Sequence, residues 1–61
     1  MNIEPGQIWE MYSHPEKRWV RVIVAKVEDS RVRLRYEGLI KFITVELGDM
    51  QIKTEVFRPA A

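Results

Sequence analysis

Basic and apolar residues alternate without a break along Arg31-Val32-Arg33-Leu34-Arg35-Tyr36. A β-strand sends successive side chains to opposite faces, so this run predicts a strand with Val32, Leu34 and Tyr36 on one face and three arginines on the other. Further segments carry strand patterns of their own. Gln7 to Tyr12 follows the turn signal Pro5-Gly6 and reads as a short strand of mixed alternation. Residues 13–17 form a polar loop in which Pro15 stops the ladder. Arg18 to Val27 is the longest candidate, with Val20, Val22 and Val24 on one face and Trp19, Ile23, Ala25 and Val27 on the other. A strand apolar on both faces is either central between two layers or bent so that it serves two sheets.

Glu28-Asp29-Ser30 has hairpin length and leads into the arginine strand; Glu37-Gly38 makes the next turn. Leu39 to Leu47 predicts a fourth strand, with Lys41, Ile43, Val45 and Leu47 on one face and Ile40, Phe42, Thr44 and Glu46 on the other. Gly48-Asp49-Met50 breaks it. Gln51 to Phe57 reads as a last short strand, with a helical turn around 47–51 as the alternative, and residues 58–61 read as a tail. No window shows a 3.6-residue apolar period, and the β-branched content with short polar connections predicts an all-β fold. Val22, Val32, Leu34 and Val45 are the expected core, since each lies on the apolar face of an alternating strand.

At 61 residues the chain is expected to form one domain, 1–61. So short a chain buries only about 60% of the surface its unfolded form exposes. It has no cysteine, so neither a disulfide nor a thiolate metal site can staple it. It must rely on a compact core, and association into a homo-oligomer is expected to help. The 46% hydrophobic content argues against disorder. No apolar run approaches the ~20 residues of a membrane span, and the N-terminus carries no basic stretch followed by an apolar one. The expectation is a cytoplasmic protein with no membrane partner.

Five short strands suit a small, strongly bent, five-stranded, partly open barrel. The loop order, a longer first loop, two tight hairpins and a short turn before the last strand, resembles that of the SH3-like barrels, a group that includes the KOW and Tudor modules. The motif-level pieces are Pro5-Gly6-Gln7-Ile8-Trp9, the Arg21-Val22 and Val32-Arg33 strands, and the Phe57-Arg58-Pro59 end. They look like small bacterial or phage-encoded modules of this type. The chain departs from the KOW motif, which places a glycine soon after the second strand begins; none lies between Gly6 and Gly38.

Formal charge is only +1, but it is segregated. Between Lys17 and Arg35 stand seven basic residues against two acidic ones, while the rest of the chain holds three basic against seven acidic. Such a molecule can present a basic face despite a near-neutral total. Alternate strand residues lie about 6.6–6.8 Å apart, roughly the phosphate spacing of an extended nucleic-acid strand. Arg31, Arg33 and Arg35, with Arg21, Lys26 and Trp19 beside them, are therefore candidate nucleic-acid-binding residues that neutralise phosphates with little sequence readout. The plainer reading is that the arginines cover a solvated face and blunt an edge.

The rival expectation is a protein-interaction or regulatory module, such as a phage accessory protein docking on a host protein. It rests on Tyr12 and Trp19, which with Trp9 flank the first loop, and on His14 within that loop, where aromatics of SH3-like barrels form a peptide groove or a cage for a cation. Most aromatics in so small a domain must serve as core; Trp19 is the expected exception, since it shares a face with Arg21. A lone histidine without cysteine cannot complete a metal site, and no nucleophile–base pair or Gly-rich phosphate loop is present. No cofactor and no catalysis are expected. The pI of about 8.1 lies below the ~9 usual for dedicated nucleic-acid binders.

Overall fold

The computed structural model describes residues 2–60. The elements are β1 (Ile8–Ser13), β2 (Arg18–Glu28), β3 (Arg31–Tyr36), β4 (Phe42–Glu46), α1 (Leu47–Ile52) and β5 (Phe57–Pro59). The five strands form one antiparallel sheet in the order β4-β3-β2-β1-β5. The sheet is all but a meander; only β5 crosses over, to lie beside β1. It is not closed into a barrel, because β4 and β5 remain its two edges. The helix α1 touches both of them and lays Met50 on the inner face between them. Among the described residues no helix is long and apolar enough to cross a membrane.

The core is Ile3, Trp9, Val22, Val24, Val32, Leu34, Met50 and Phe57, all buried on the inner face of the sheet. Val22, Val32 and Leu34 are fully buried, as alternation predicts. Val45 is only half-buried, because its strand is an edge with a neighbour on one side alone. The indole N–H of the buried Trp9 donates to Gln7 Oε1 at 3.1 Å, and no buried side-chain polar atom among the described residues lacks a partner. That satisfies the rule that polar groups removed from water must find one.

The two-faced β2 is resolved by a β-bulge. Its register against β3 runs Val22↔Tyr36, Ile23↔Arg35, Val24↔Leu34, then shifts, so that Lys26 opposes Arg33 and Val27 opposes Val32. Strict alternation would have put Lys26 inside with Val24, and Val27 outside with Trp19. The extra residue, Ala25, reverses the parity beyond it, because a one-residue slip exchanges the two faces. Val27 turns inward against the core and Lys26 turns outward. The strand is thus apolar on its inner face throughout, and it serves one sheet.

Turn chemistry sets the connections. Gly38 has φ +80° and Leu39 N–H donates to Tyr36 O at 3.1 Å, the signature of a type II turn with glycine third. Asp29 takes φ +55° in the two-residue link between β2 and β3, a conformation aspartate tolerates better than most residues. The fourth strand begins at Phe42 rather than Leu39, because this turn consumes residues 37–41. The segment expected as a strand from Gln51 to Phe57 is instead the end of α1 and a link, with β5 confined to Phe57–Pro59. The chain must pass from one sheet edge to the other here, so residues 51–56 have no strand to pair with. Lys53 N–H closes the helical turn on Asp49 O at 2.9 Å. The expected tail is partly β5: Arg58 opposes Glu10 and Pro59 opposes Trp9, while Ala61 lies outside the described residues.

Leu34 is the largest fully buried side chain. Leu34→Ala is expected to lower stability by ~2–5 kcal/mol, the usual range for a buried leucine, which in a chain this small leaves little or no folded protein at room temperature. Thermal unfolding followed by circular dichroism checks this; a melting temperature within a few degrees of wild type would show that the leucine is not the centre of the core.

Candidate binding face of the sheet

Cross-strand partners share a face, so the registers map the outer face row by row. At one end Arg31 stands between Glu28 on β2 and Glu46 on β4. In the next row Arg33 stands between Lys26 and Thr44. In the third, Arg35 stands between Ile23 and Phe42, with Ile8 beyond Ile23. Farther along, Arg21 pairs with Glu10, which pairs with Arg58. Trp19 and Tyr12 oppose each other at the first loop.

All six residues expected to contact nucleic acid, Arg21, Lys26, Arg31, Arg33, Arg35 and Trp19, therefore lie on one face of the sheet. They fall into two groups. Lys26, Arg31, Arg33 and Arg35 are neighbours across β2 and β3, and the bulge is what brings Lys26 among them. Arg21 and Trp19 lie beyond the Ile8–Ile23 row, closer to Glu10, Glu37 and Arg58.

The cations differ in how far they are already neutralised. Lys26 Nζ is 2.7 Å from Glu28 Oε2, a hydrogen-bonded pair. Arg21 Nε–Glu37 and Arg31 Nε–Glu46 are 3.7 and 3.9 Å apart, beyond hydrogen-bonding distance. All six of these side chains are about half exposed or more, and water screens exposed pairs so that they hold weakly, which lets a phosphate displace such carboxylates. Arg33 and Arg35 have no carboxylate partner among the described residues. The Arg33 guanidinium lies 4.4 Å from the centre of the Phe42 ring, and Arg35 donates from Nη1 to Leu39 O at 3.3 Å. A shallow open groove runs along Lys26, Ser30, Arg31, Arg33 and Thr44, with Glu28 and Asp29 also on its wall.

The three residues of the protein-contact expectation also meet. The Tyr12 ring stands edge-on to His14 at 5.1 Å and to Trp19 at 5.5 Å. Trp19 is half-buried, and the Arg58 guanidinium covers its other surface at 3.9 Å while bonding Glu10 at 2.7 Å. Beside this cluster an open groove lies between the first loop and the β3–β4 loop, lined by Met11, Tyr12, His14, Pro15, Tyr36 and Leu39.

Two features of the face escaped sequence reasoning. Arg58, read as tail, reaches Glu10 across 48 positions, a pairing with no local signal. Phe42, at 40% exposed, is the aromatic under Arg33; its outward side was legible from alternation, but the lack of a layer above it was not. Among the described residues no three His, Cys, Asp or Glu side chains gather into a metal-binding group. No protein-family model, no curated protein and no solved structure matches the chain.

The Lys26–Glu28 pair carries a pH signature. The ammonium of Lys26 donates a hydrogen bond to the Glu28 carboxylate and adds its charge, which together hold that carboxyl below its ordinary value. A depressed folded-state value means that the pair's contribution to stability is present above the ordinary glutamate range and is lost as pH falls through the lowered value. In Lys26→Met the Glu28 carboxyl is expected to titrate at higher pH than in wild type. Carbon NMR of the glutamate side chains across an acid titration checks this, with an unchanged Glu28 midpoint as the contrary result.

Proposed function

We propose that the chain is a non-catalytic binding module of SH3-like type whose outer sheet face holds the phosphates of a nucleic-acid strand. The observation that carries this reading is the middle of the face: Arg33 and Arg35 lie on one strand without carboxylate partners, with Lys26 directly across from Arg33. The arginines are not equivalent. Arg31 is flanked by two glutamates, so a phosphate there competes with charge already supplied. Exposed Phe42 beside Arg33 and Arg35 adds a surface on which an unpaired base can stack, which favours a single strand over a duplex. The SH3-like part of the reading is supported by the loop order, by the return of β5 to β1, and by the helical turn before β5.

A specific observation favours a second reading as well. The Tyr12, His14 and Trp19 rings, with the groove beside them, form an aromatic surface of the kind that anchors a protein partner.

A salt titration of binding to a short single-stranded oligonucleotide tests the first reading. The logarithm of affinity is expected to fall with the logarithm of salt, at a slope near −0.7 per phosphate contact. Arg33→Gln and Arg35→Gln are each expected to flatten that slope by about one contact and to weaken all sequences alike, since phosphates carry no sequence information. Arg31→Gln is expected to change it less. Absence of wild-type binding even at ~50 mM salt removes the nucleic-acid reading and leaves the aromatic surface as the candidate.

A further inference from the structure

We infer that the protein pairs with a second copy of itself through the free edge of β4, joining two sheets into one. The argument begins with which backbone groups that edge exposes. Tyr36 N–H donates to Lys41 O at 3.0 Å and Leu47 N–H donates to Ser30 O at 2.7 Å, at the two ends of the β3–β4 ladder. Antiparallel ladders alternate bonded and non-bonded pairs. With Leu34 opposite Ile43 and Val32 opposite Val45, residues 41, 43, 45 and 47 therefore turn their N–H and C=O toward β3. Phe42, Thr44 and Glu46 turn theirs outward, away from β3; of these six groups the Glu46 C=O is already engaged, since Glu46 is the N-cap of α1 and its carbonyl accepts the first bond of that helix.

Those three residues form a self-complementary set. Two β4 strands placed antiparallel about a two-fold axis at Thr44 bring Thr44 opposite its own copy and Phe42 opposite Glu46 of the second copy. Each of these pairs falls at a bonded position, so the N–H and C=O of Thr44 meet those of its copy and the Glu46 N–H meets the Phe42 C=O of the second copy. Main-chain addition to a free edge of this kind is a common recognition mode. On the outer face, the Glu46 carboxylate of each copy joins the row that holds Phe42 and Arg35 of the other, with the Arg33 guanidinium over the Phe42 ring, which gives the contact matched charge. On the inner face, half-buried Ile43 meets half-buried Val45 of the second copy. The same register carries each β3–β4 loop toward the start of the other copy's α1. That gives an apolar neighbour to Ile40, which is 97% exposed and unexplained by the monomer.

The two edges of the sheet are built differently. On β5 the bonds of Tyr12 N–H to Val56 O and of Ala60 N–H to Ile8 O mean that residues 57 and 59 face outward. Residue 59 is proline and has no N–H to offer, and the strand is three residues long, both of which blunt an edge. The five residues of β4 include no proline, no lysine and no bulge.

Sedimentation of the full chain from micromolar to millimolar concentration tests the inference. The expected result is a concentration-dependent rise from 7.3 kDa to twice that mass; a constant 7.3 kDa overturns it. Thr44→Pro removes an N–H the β3 ladder does not use, and is expected to remain folded and monomeric. Should that variant fail to fold, Thr44→Cys decides. The native chain has no cysteine, and a bonded antiparallel pair sets the two Cα atoms about 5.5 Å apart, within disulfide reach. Mild oxidation is expected to link Thr44→Cys into a covalent dimer far faster than Glu55→Cys, whose site lies in the exposed link before β5. Equal rates for the two variants overturn the inference.

Discussion

One extra residue in β2 organises everything the sheet presents to solvent. A strand has two faces and a strict period of two, and β2 cannot meet both demands of its sequence in a single register. Val20, Val22 and Val24 require one parity, Val27 the other. The bulge at Ala25 satisfies both, and the hydrophobic term decides its place: Val27 goes to the core, and Lys26 is spared burial that would cost it its charge or its hydration. The outward turn of Lys26 sets it opposite Arg33 and beside Glu28. Both the neutralised and the open parts of the basic face thus follow from where the core needs its valines.

The outer face is a graded surface rather than a uniform basic patch. Carboxylates from β2 and β4 crowd the Arg31 end, and another pair crowds Arg21, while the middle rows mix free guanidinium with Phe42, Ile23 and Ile8. Weak exposed ion pairs at the ends lower the local positive potential there without committing those cations strongly. A ligand that brings its own negative charge meets least resistance in the middle. This grading separates the proposed phosphate contacts from the aromatic cluster at the first loop, so the two readings of the face draw on different residues.

The open sheet carries a further constraint. Among the described residues one short helix and the N-terminal segment cover the inner face, through Met50 and Ile3, and β4 and β5 are left as the sheet's edges. Pro59 and brevity protect one edge; the other is protected only if something pairs with it. Outward-facing groups on Phe42, Thr44 and Glu46, together with exposed apolar residues in the preceding loop, make the proposed self-pairing the economical completion of the fold.

Alternation in Arg31–Tyr36 was enough to place β3 at its observed bounds, and the valine, proline and glycine positions located β1, β2 and the hairpins within a residue or two. The facing of Arg31, Arg33 and Arg35 was legible for the same reason: a period of two is a local property of the chain. Three things were not local. The bulge depends on which valines the core can accept, and only packing against Val32 and Leu34 decides that. The last strand depends on where β1 leaves a free edge, so the Gln51–Phe57 pattern gave way to a helical turn and a link spanning the sheet. The effective charge of each arginine depends on partners such as Glu46 and Glu37 that the register brings beside it. Side-chain direction follows from the backbone repeat of a few residues, whereas burial and charge balance follow from contacts between segments far apart in the chain, which only the folded sheet creates.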